Sequence, residues 1–250
     1  MNFLFKKRES VHKPRLTFLT HHKCGSSWLR DLLQSICDLN QLNMFHSHSG
    51  TAVPSSTNDV SLLTNASYAR VSEHIIGRCI HVIRNPLAII LSAYHSHRAT
   101  HSTSGWPELD VQRDVLNTVD AAQGMLLTLA FVECAEFYKQ TPGPLHALRC
   151  WNFDDDRIET LRMEDIVVET GGFVEHVRQA GGFGSLASPD LSAFAFEKLT
   201  GRKVGQVDES SHYRSGASDR WRHELPPSVI AYVRGHFRPM LERYYPEALA

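Results

Sequence analysis

The sequence predicts an α/β fold, a single domain with a central parallel sheet flanked by helices. Short β-rich runs alternate with segments of helical periodicity, an order typical of parallel sheets covered on both faces. The chain has 250 residues, of which 42% are hydrophobic and 21% charged, in the range of soluble globular proteins. We expect a polar leader over 1–14 and one domain over 15–250.

Each predicted element has a local signal, beginning with a strand over 15–20 and a helix over 26–39 whose apolar residues recur at spacings of three and four. A second strand over 79–84 stops at Asn85-Pro86, and a helix over 87–97 follows because proline favours a first helical turn. Loops are expected over 46–67 and 98–110. The remaining elements are expected as helix 119–140, a strand with an acidic turn over 158–166, helix 171–183, a helix near AFEKLT within the loop-rich 184–224, and helix 226–245 bent near Pro239.

Composition and charge exclude several function classes. The net charge is −1, so the chain lacks the global positive field of a nucleic-acid-binding protein. The five cysteines are scattered, odd in number and without a CxxC pair, which favours reduced thiols in a cytoplasmic setting over disulfides or a zinc site. No run approaches 18 apolar residues, so no transmembrane segment is expected.

A lysine, a glycine and two serines stand where the first strand is predicted to become a helix, within "HHKCGSSW" (21–28). The first amide groups of a helix and its positive dipole end bind anions, phosphate above all. Gly25 would allow close approach of the backbone, and Lys23 adds a full charge. The order differs from the Walker pattern, in which lysine follows the second glycine. Serine as a helix cap is the alternative, although it leaves Lys23 and Gly25 unexplained.

Arg84 and Ser92 repeat this arrangement at the second predicted strand and helix. An arginine offers a planar fork for phosphate oxygens, and Ser92 lies about two helical turns further on. For either residue alone, an exposed or solvated side chain is the ordinary alternative. Together with the first motif, they predict a P-loop-like strand-turn-helix phosphate cradle.

Five segments in order resemble motifs of the sulfotransferase family. "HHKCGSSW" is similar to the 5′-phosphosulfate loop, commonly PKSGTTW, and "IRNPLAIILSAY" (83–94) is similar to the 3′-phosphate motif RNPxxxxxSxY. "LRMEDI" resembles the RYEDL strand, and "FEKLTGR" with "SHYRSGASDRW" resembles the stretch leading into RKGxxGDW. The resemblance covers residues 15 to about 224. It implies a single α/β domain that binds 3′-phosphoadenosine 5′-phosphosulfate (PAPS) and releases adenosine 3′,5′-bisphosphate (PAP).

The resemblance also assigns residues to this donor. Lys23 matches the lysine at the bridging oxygen, and Arg84 with Ser92 matches the 3′-phosphate ligands. The remaining matches to the two phosphate loops are Cys24, Gly25, Ser26, Ser27, Trp28, Tyr213, Arg214, Ser215 and Gly216. Trp28 matches a tryptophan that packs on adenine. Ser215 stands where lysine is usual, Asp219 where glycine is usual and Arg220 where aspartate is usual, which weakens the match of the last loop.

The implied reaction is in-line transfer of a sulfuryl group to a hydroxyl or amine acceptor, and it calls for a general base. Many family members use a histidine within KTH, a motif that this chain lacks. His48, His74 and Glu73 are the candidates in that order, with His46 last, and a solvated loop residue is the alternative for each. "YHSHRATH" (94–101) is expected to be solvated or to face the acceptor, because no Glu or Cys completes a metal set. We expect no metal.

The acceptor is expected to be a polar small molecule or a carbohydrate, because the loops 45–70, 98–115 and 184–212 are rich in His, Ser and Thr. The apolar segment 119–140 is expected to form part of the hydrophobic core, and a contact in a homodimer is the alternative role for it. Two rival functions remain: a P-loop-type kinase or nucleotide hydrolase, which would need magnesium ligands, and a non-catalytic nucleotide-binding protein of the same fold.

Overall fold

Five parallel strands form the sheet at the centre of the computed structural model, which describes residues 16–49, 52–55, 57–75 and 77–250. The leader predicted over 1–14 lies outside the described residues. The strand order is β2-β3-β1-β4-β5. The strands are β1 (Leu16–Thr20), β2 (Met44–Ser47), β3 (Val60–Thr64), β4 (Arg78–Ile83) and β5 (Ile158–Arg162). The predicted α/β class with a central parallel sheet is confirmed.

Helices cover the sheet, and within the described residues none is long and apolar enough to cross a membrane. The α-helices are α1 (Ser26–Asn40), α2 (Tyr68–Val71), α3 (Pro86–His95), α4 (Pro107–Leu116), α5 (Ala121–Val132), α6 (Pro144–Arg149), α7 (Met163–Val168), α8 (Thr170–Ala180), α9 (Phe196–Thr200), α10 (Trp221–Glu224), α11 (Pro227–His236) and α12 (Arg238–Tyr244). A π-helical turn, Ser96–Thr100, continues α3, and 3₁₀ turns span Leu191–Phe194 and Pro246–Ala248.

Burial explains why β1 lies at the centre. All five of its residues are buried, and alternate side chains enter different clusters, since Leu16 and Phe18 pack with α1 and α8 while Leu19 packs on the other face with Trp151. Helix α1 buries the apolar stripe that its sequence spacing predicts. A strand covered on both faces is held firmly, so the turn that follows β1 has a rigid support.

The largest departure from the sequence prediction lies within 46–67, which was expected as a loop. It contains β3, which pairs with β1, and the end of the four-residue β2, which pairs with β3, and neither strand shows an alternating pattern of its own. Helix α4 likewise begins inside the predicted loop 98–110. The helix predicted over 119–140 ends at Val132. The helix over 226–245 is interrupted at Phe237, close to the bend or interruption that the sequence predicts near Pro239.

The carboxyl ends of the strands form a crevice beside β1. The chain runs from β1 to the β2 side of the sheet, returns to β3, and then crosses β1 to β4. In open α/β sheets, ligands bind at such a switch point, outside the carboxyl ends of the strands. The turns that follow β1 and β4 carry Lys23 and Arg84, so both face this crevice.

Candidate active site

The turn after β1 is shaped by two residues in the left-handed region. Lys23 has φ of 64° and Gly25 has φ of 73°. The positive φ favours glycine at position 25, and a Cβ atom there would lie 2.4 Å from Cε of Met163, so that side chain would have to move. Burial raises the pKa of the Cys24 thiol to about 12, which keeps it neutral and leaves its main chain as its part in the turn.

The amino terminus of α1 has no side-chain cap. Gly25 is the N-cap residue, and no side chain of the described residues accepts a hydrogen bond from the first turn. Ser26 and Ser27 are half-buried and lie inside the helix, so the alternative reading of a serine cap does not describe this end. Unpaired amide groups at the positive end of a 15-residue helix make an anion-binding site.

Lys23 and Arg84 stand together at this end. The Lys23 ammonium donates to Oγ of Ser96 at 2.5 Å, and Nη1 of Arg84 donates to the carbonyl oxygen of Lys23 at 2.9 Å. Burial, and to a lesser extent the charge of Arg84, lowers the pKa of Lys23 to about 7. Two cations held this closely favour a bound anion.

The Arg84 turn is fixed by a network behind it. Oδ1 of Asn85 accepts from the amide of Leu87 at 3.0 Å and caps α3, while the amide of Asn85 donates to Oε1 of Glu164 at 3.1 Å. The hydroxyl of Tyr245 donates to Oε2 of Glu164 at 3.0 Å. The "LRMEDI" segment therefore acts through Glu164, which orients the turn that carries Arg84.

A cavity of ≈ 280 Å³ opens in front of these groups. Gly25, Arg84 and Ser92 line its polar end, with Ser92 half-buried on α3. Its apolar walls are formed by Trp28, Met163, Val167, Phe194, Phe196 and Leu199. The indole of Trp28 donates to the carbonyl oxygen of Phe194 at 2.9 Å, which fixes the ring. A cavity with flat apolar walls at one end and cations at the other suits a nucleotide.

Tyr213, Arg214, Ser215 and Gly216 also line this cavity, on the loop that precedes α10. Gly216 has φ of 66°, and a Cβ atom there would lie 2.6 Å from the ring of Phe196. Arg214 is paired with two carboxylates, since its Nη2 lies 2.9 Å from both Glu209 and Glu224. The charge of Arg214 is therefore already balanced in this conformation.

The candidate bases from the sequence fall into two separate groups. His48 is exposed after β2, with its ring 4.5 Å from that of His46. Glu73 and His74 are exposed between α2 and β4 and line a second cavity with Arg70. The structure therefore does not bring Glu73 and His74 together with the residues around Lys23.

A group of aromatic and imidazole rings beside Lys23 was missed by the sequence reasoning. His22 and His97 are buried and joined by a hydrogen bond of 2.9 Å, and His101 and Trp106 pack around His22 at ring distances of 4.9 and 5.6 Å. The spacing of His97 and His101 was the available signal, but it does not reveal that the π-helical turn carries both inward. Among the described residues, no three His, Cys, Asp or Glu side chains are placed to hold a metal ion.

Comparisons with known proteins find relatives by structure alone. No family model and no curated protein sequence matches the chain. Mouse sulfotransferase SULT7A1, solved in complex with PAP, superimposes with a TM-score of 0.51 and 13% identity over 90% of this chain and 84% of that one. The chain has the sulfotransferase fold. Retinol dehydratase, solved with androsterone and inactive cofactor PAP, gives 0.52 and 13% identity over 93% and 82%.

A second structure of retinol dehydratase, with retinol and PAP, agrees with a TM-score of 0.51 and 12% identity over 93% of this chain and 83% of that one. The resemblance read from the sequence motifs thus extends to the three-dimensional sulfotransferase fold. At this level of identity the comparison establishes the fold, and the chemistry of this chain has to be argued from its own site.

Proposed function

We propose that this protein is a PAPS-dependent sulfotransferase, which moves a sulfuryl group from PAPS to a hydroxyl or amine acceptor. The observation that carries the proposal is the meeting of an uncapped helix terminus and Arg84 at one nucleotide-sized cavity, with Lys23 in the adjoining turn, where its carbonyl oxygen accepts from Arg84. The PAP complexes of the two structural neighbours support it.

The donor fits the residues of this cavity. The first amides of α1, with Ser26 and Ser27, would hold the 5′-phosphosulfate, and Arg84 with Ser92 would hold the 3′-phosphate. Trp28 and the ring of Phe196 offer apolar surface to adenine. Tyr213, Arg214, Ser215 and Gly216 border the same end. Burial of the thiol limits Cys24 to a main-chain role.

Sulfuryl transfer depends on positioning and on stabilising charge, as phosphoryl transfer does. Negative charge collects on the bridging oxygen as it leaves with the 5′-phosphate. The Lys23 ammonium and the amides of α1 are the donors that would stabilise this charge, so Lys23 must exchange Ser96 for that oxygen. These fixed cations supply what a metal supplies in kinases, so the proposed reaction uses no metal.

The acceptor class we propose is a small molecule or a carbohydrate. The structural neighbours include a protein crystallised with androsterone and with retinol. In this chain His95 and His212 line the cavity, and these imidazoles favour a polar hydroxyl. We also propose cytoplasmic residence from the reduced cysteines, and a homodimer remains the assembly state to be tested.

One rival function has a specific observation in its favour. Because Arg214 is neutralised by Glu209 and Glu224, and Ser215 replaces a lysine, the loop offers the 3′-phosphate less charge than the family pattern. A non-catalytic nucleotide-binding protein would tolerate this loss. A kinase would instead need magnesium ligands and no 3′-phosphate site, which Arg84 and Ser92 argue against.

The test is a titration of the purified protein with PAP, AMP and ATP, followed by turnover. We expect PAP to bind at least tenfold more tightly than AMP, since one charged hydrogen-bonding group is worth roughly that factor. Labelled sulfate from PAPS should then reach an acceptor from a panel of sugars, alcohols and phenols. Preference for ATP with magnesium would indicate a kinase, and PAP binding without transfer to any acceptor would favour the non-catalytic protein.

A further inference from the structure

Three polar side chains form a hydrogen-bonded row beside Lys23. Nε2 of His22 lies 2.9 Å from Nε2 of His97, and Nδ1 of His97 lies 2.8 Å from Oε1 of Gln112. Two imidazole nitrogens at this distance share one proton, so one ring donates and the other accepts. Burial and the nearby Lys23 lower the pKa of both histidines well below the usual value, so both are neutral. The Nε2 atoms of His22 and His97 are therefore engaged in a hydrogen bond with each other.

His101 has no such partner. Its ring packs edge-on against His22 at 4.9 Å and against Trp106 at 5.5 Å, and it is half-buried. Neither of its ring nitrogens has a hydrogen-bonding partner among the described residues. An imidazole that is fixed by its neighbours and keeps both nitrogens free can accept a proton from a bound molecule.

The π-helical turn after α3 connects His101 to Lys23. The amide of His101 donates to the carbonyl oxygen of Ser96 at 2.8 Å, and the hydroxyl of Ser96 holds the Lys23 ammonium. Arg113 clamps the turn from α4, because its guanidinium donates to the carbonyl oxygens of His97, at 2.7 Å, and of His101. Insertions of this kind in α-helices are frequent at functional sites. The turn thus carries Ser96, the partner of Lys23, and the residue that ends it, His101, carries a free imidazole.

We propose that His101 is the general base of the sulfuryl transfer and that Arg113 is its positioning residue. This inference rests on the proposed function. The acceptor oxygen forms a bond to sulfur, the bond from sulfur to the bridging oxygen breaks, and its electron pair stays on the 5′-phosphate beside Lys23. The acceptor proton passes to the free ring nitrogen of His101, which later releases it to water.

Burial and the charges around His101 keep its ring unprotonated in the free protein. Burial first, and then Lys23, His212, Arg113 and His48, lower the pKa of His101 to about 4, so it is unprotonated at neutral pH. The remaining neighbours are neutral, namely His22 and His97 as described above. A bound dianionic phosphate offsets Lys23, so occupation of the nucleotide site raises the basicity of His101.

Two other free imidazoles lie nearby and are less well placed. His48 is exposed, and the charges that act on it are Arg30 and Lys139 rather than Lys23. His212 feels Lys23, but it is exposed on the loop that lines the nucleotide cavity with Gly25 and Trp28. His101 lies outside that lining and is joined to Lys23 through Ser96, whose carbonyl oxygen accepts from the His101 amide and whose hydroxyl accepts from the Lys23 ammonium.

The first experiment compares His101→Gln with wild type, with His48→Gln and with the control His236→Gln, which changes an exposed histidine on α11. We expect His101→Gln to lower turnover about 10²–10⁴-fold while PAP binds normally, because a general base contributes that factor. The loss of turnover in His101→Gln should be smaller for phenol acceptors of low pKa, because these need less assistance from a base to lose their proton. Arg113→Gln should lower kcat in the same way, with Arg113→Lys partly restoring it.

The second experiment needs no acceptor. The titration of His101 is followed by NMR in protein with labelled histidine, and its resonance is assigned by its absence in His101→Gln. We expect a pKa well below 6.5 in the free protein, and a rise of about 1 unit or more in Lys23→Ala and on binding of PAP. A pKa that responds to neither change would overturn the placement of His101 beside the reacting oxygen.

The outcomes separate the two proposals. If the wild-type protein does not bind PAP, the proposed function has failed. If PAP binds and sulfate is transferred while His101→Gln keeps full turnover, only the role of His101 has failed. A loss confined to His48→Gln would assign the base to the loop after β2, and a PAP affinity that falls with turnover in His101→Gln would mark His101 as a structural residue.

Discussion

Lys23 and Ser96 are 73 positions apart in the chain and meet in a 2.5 Å hydrogen bond from Nζ to Oγ. The bond joins the turn after β1 to the π-helical turn after α3. It holds the ammonium at the amino terminus of α1, in a setting where burial and Arg84 lower its pKa to about 7. Before a ligand arrives, Ser96 therefore satisfies the group that we expect to stabilise a leaving oxygen, and Lys23 exchanges this bond for the ligand.

Replacement of Lys23 by alanine tests its role at the leaving oxygen. Turnover should fall about 10²–10³-fold, the usual cost of one donor aimed at transition-state charge, while PAP affinity changes much less. Steady-state rates and calorimetric titration measure the two effects, with the exposed Lys198→Ala as the control. Near-normal turnover would remove Lys23 from the mechanism.

Arg84→Ala tests the 3′-phosphate site. A charge-assisted hydrogen bond contributes about 1.5–3 kcal/mol, so PAP should bind roughly ten- to hundredfold more weakly. AMP lacks the 3′-phosphate, and its affinity should change little. Because Arg84 also donates to the carbonyl oxygen of Lys23, equal losses for PAP and AMP would show that Arg84 acts by shaping the turn.

The lowered pKa of Lys23 predicts proton uptake on ligand binding. At pH 8 a lysine with a pKa of about 7 is mostly neutral, and an anionic phosphate favours its charged form. PAP binding should then take up protons, and PAP affinity should weaken between pH 7 and 9 by up to about tenfold per unit. Calorimetry in buffers of different ionisation enthalpy measures this uptake. Lys23→Met should abolish it.

Glu209 competes with phosphate for Arg214. The two side chains are paired at 2.9 Å, and Glu209 is largely exposed, so Glu209→Gln should leave Glu224 as the one remaining carboxylate partner described for Arg214 and tighten PAP binding severalfold. The matched control is Glu242→Gln, which removes an equally exposed carboxylate from a pair with Arg238 on α12. Unchanged or weaker PAP binding in Glu209→Gln would mean that Arg214 serves the fold of its loop.

Buried histidines predict acid sensitivity. His21 and His81 are fully buried with their Nε2 atoms 2.7 Å apart, and burial lowers the pKa of His21 to about 3 and that of His81 well below the usual value. The unfolded chain protonates both near pH 6.5, so their contribution is present above that pH and is lost as the pH falls. Each should cost about 1.4 kcal/mol of unfolding free energy per pH unit below 6.5.

Denaturant unfolding at pH 7 and pH 5 measures this loss. The doubly substituted His21→Phe/His81→Phe keeps an aromatic ring at each position, and it should lose less stability than wild type between these pH values. A wild-type stability that is the same at pH 5 and pH 7 would contradict the assignment.

Local sequence patterns predicted several strands and helices of the fold correctly. The strand before Lys23, helix α1, and the strand and helix that flank Arg84 were predicted close to their bounds, because each buries a continuous apolar run or stripe that its own residues encode. β2 and β3 were missed because neither shows an alternating pattern. They exist through hydrogen bonds to β1 and to each other, which no local window contains.

The sequence by itself determined the two turns to which we assign phosphate binding, since the lysine, glycine, serines and arginine that form them lie within single strand-turn-helix units. Only the tertiary structure decided which histidine stands beside Lys23, that Ser96 holds the lysine, and that Arg214 is paired with Glu209 and Glu224. These contacts join segments far apart in the chain. They depend on how helices α3, α4 and α10 pack on the sheet, which is set by the whole core rather than by the residues that meet.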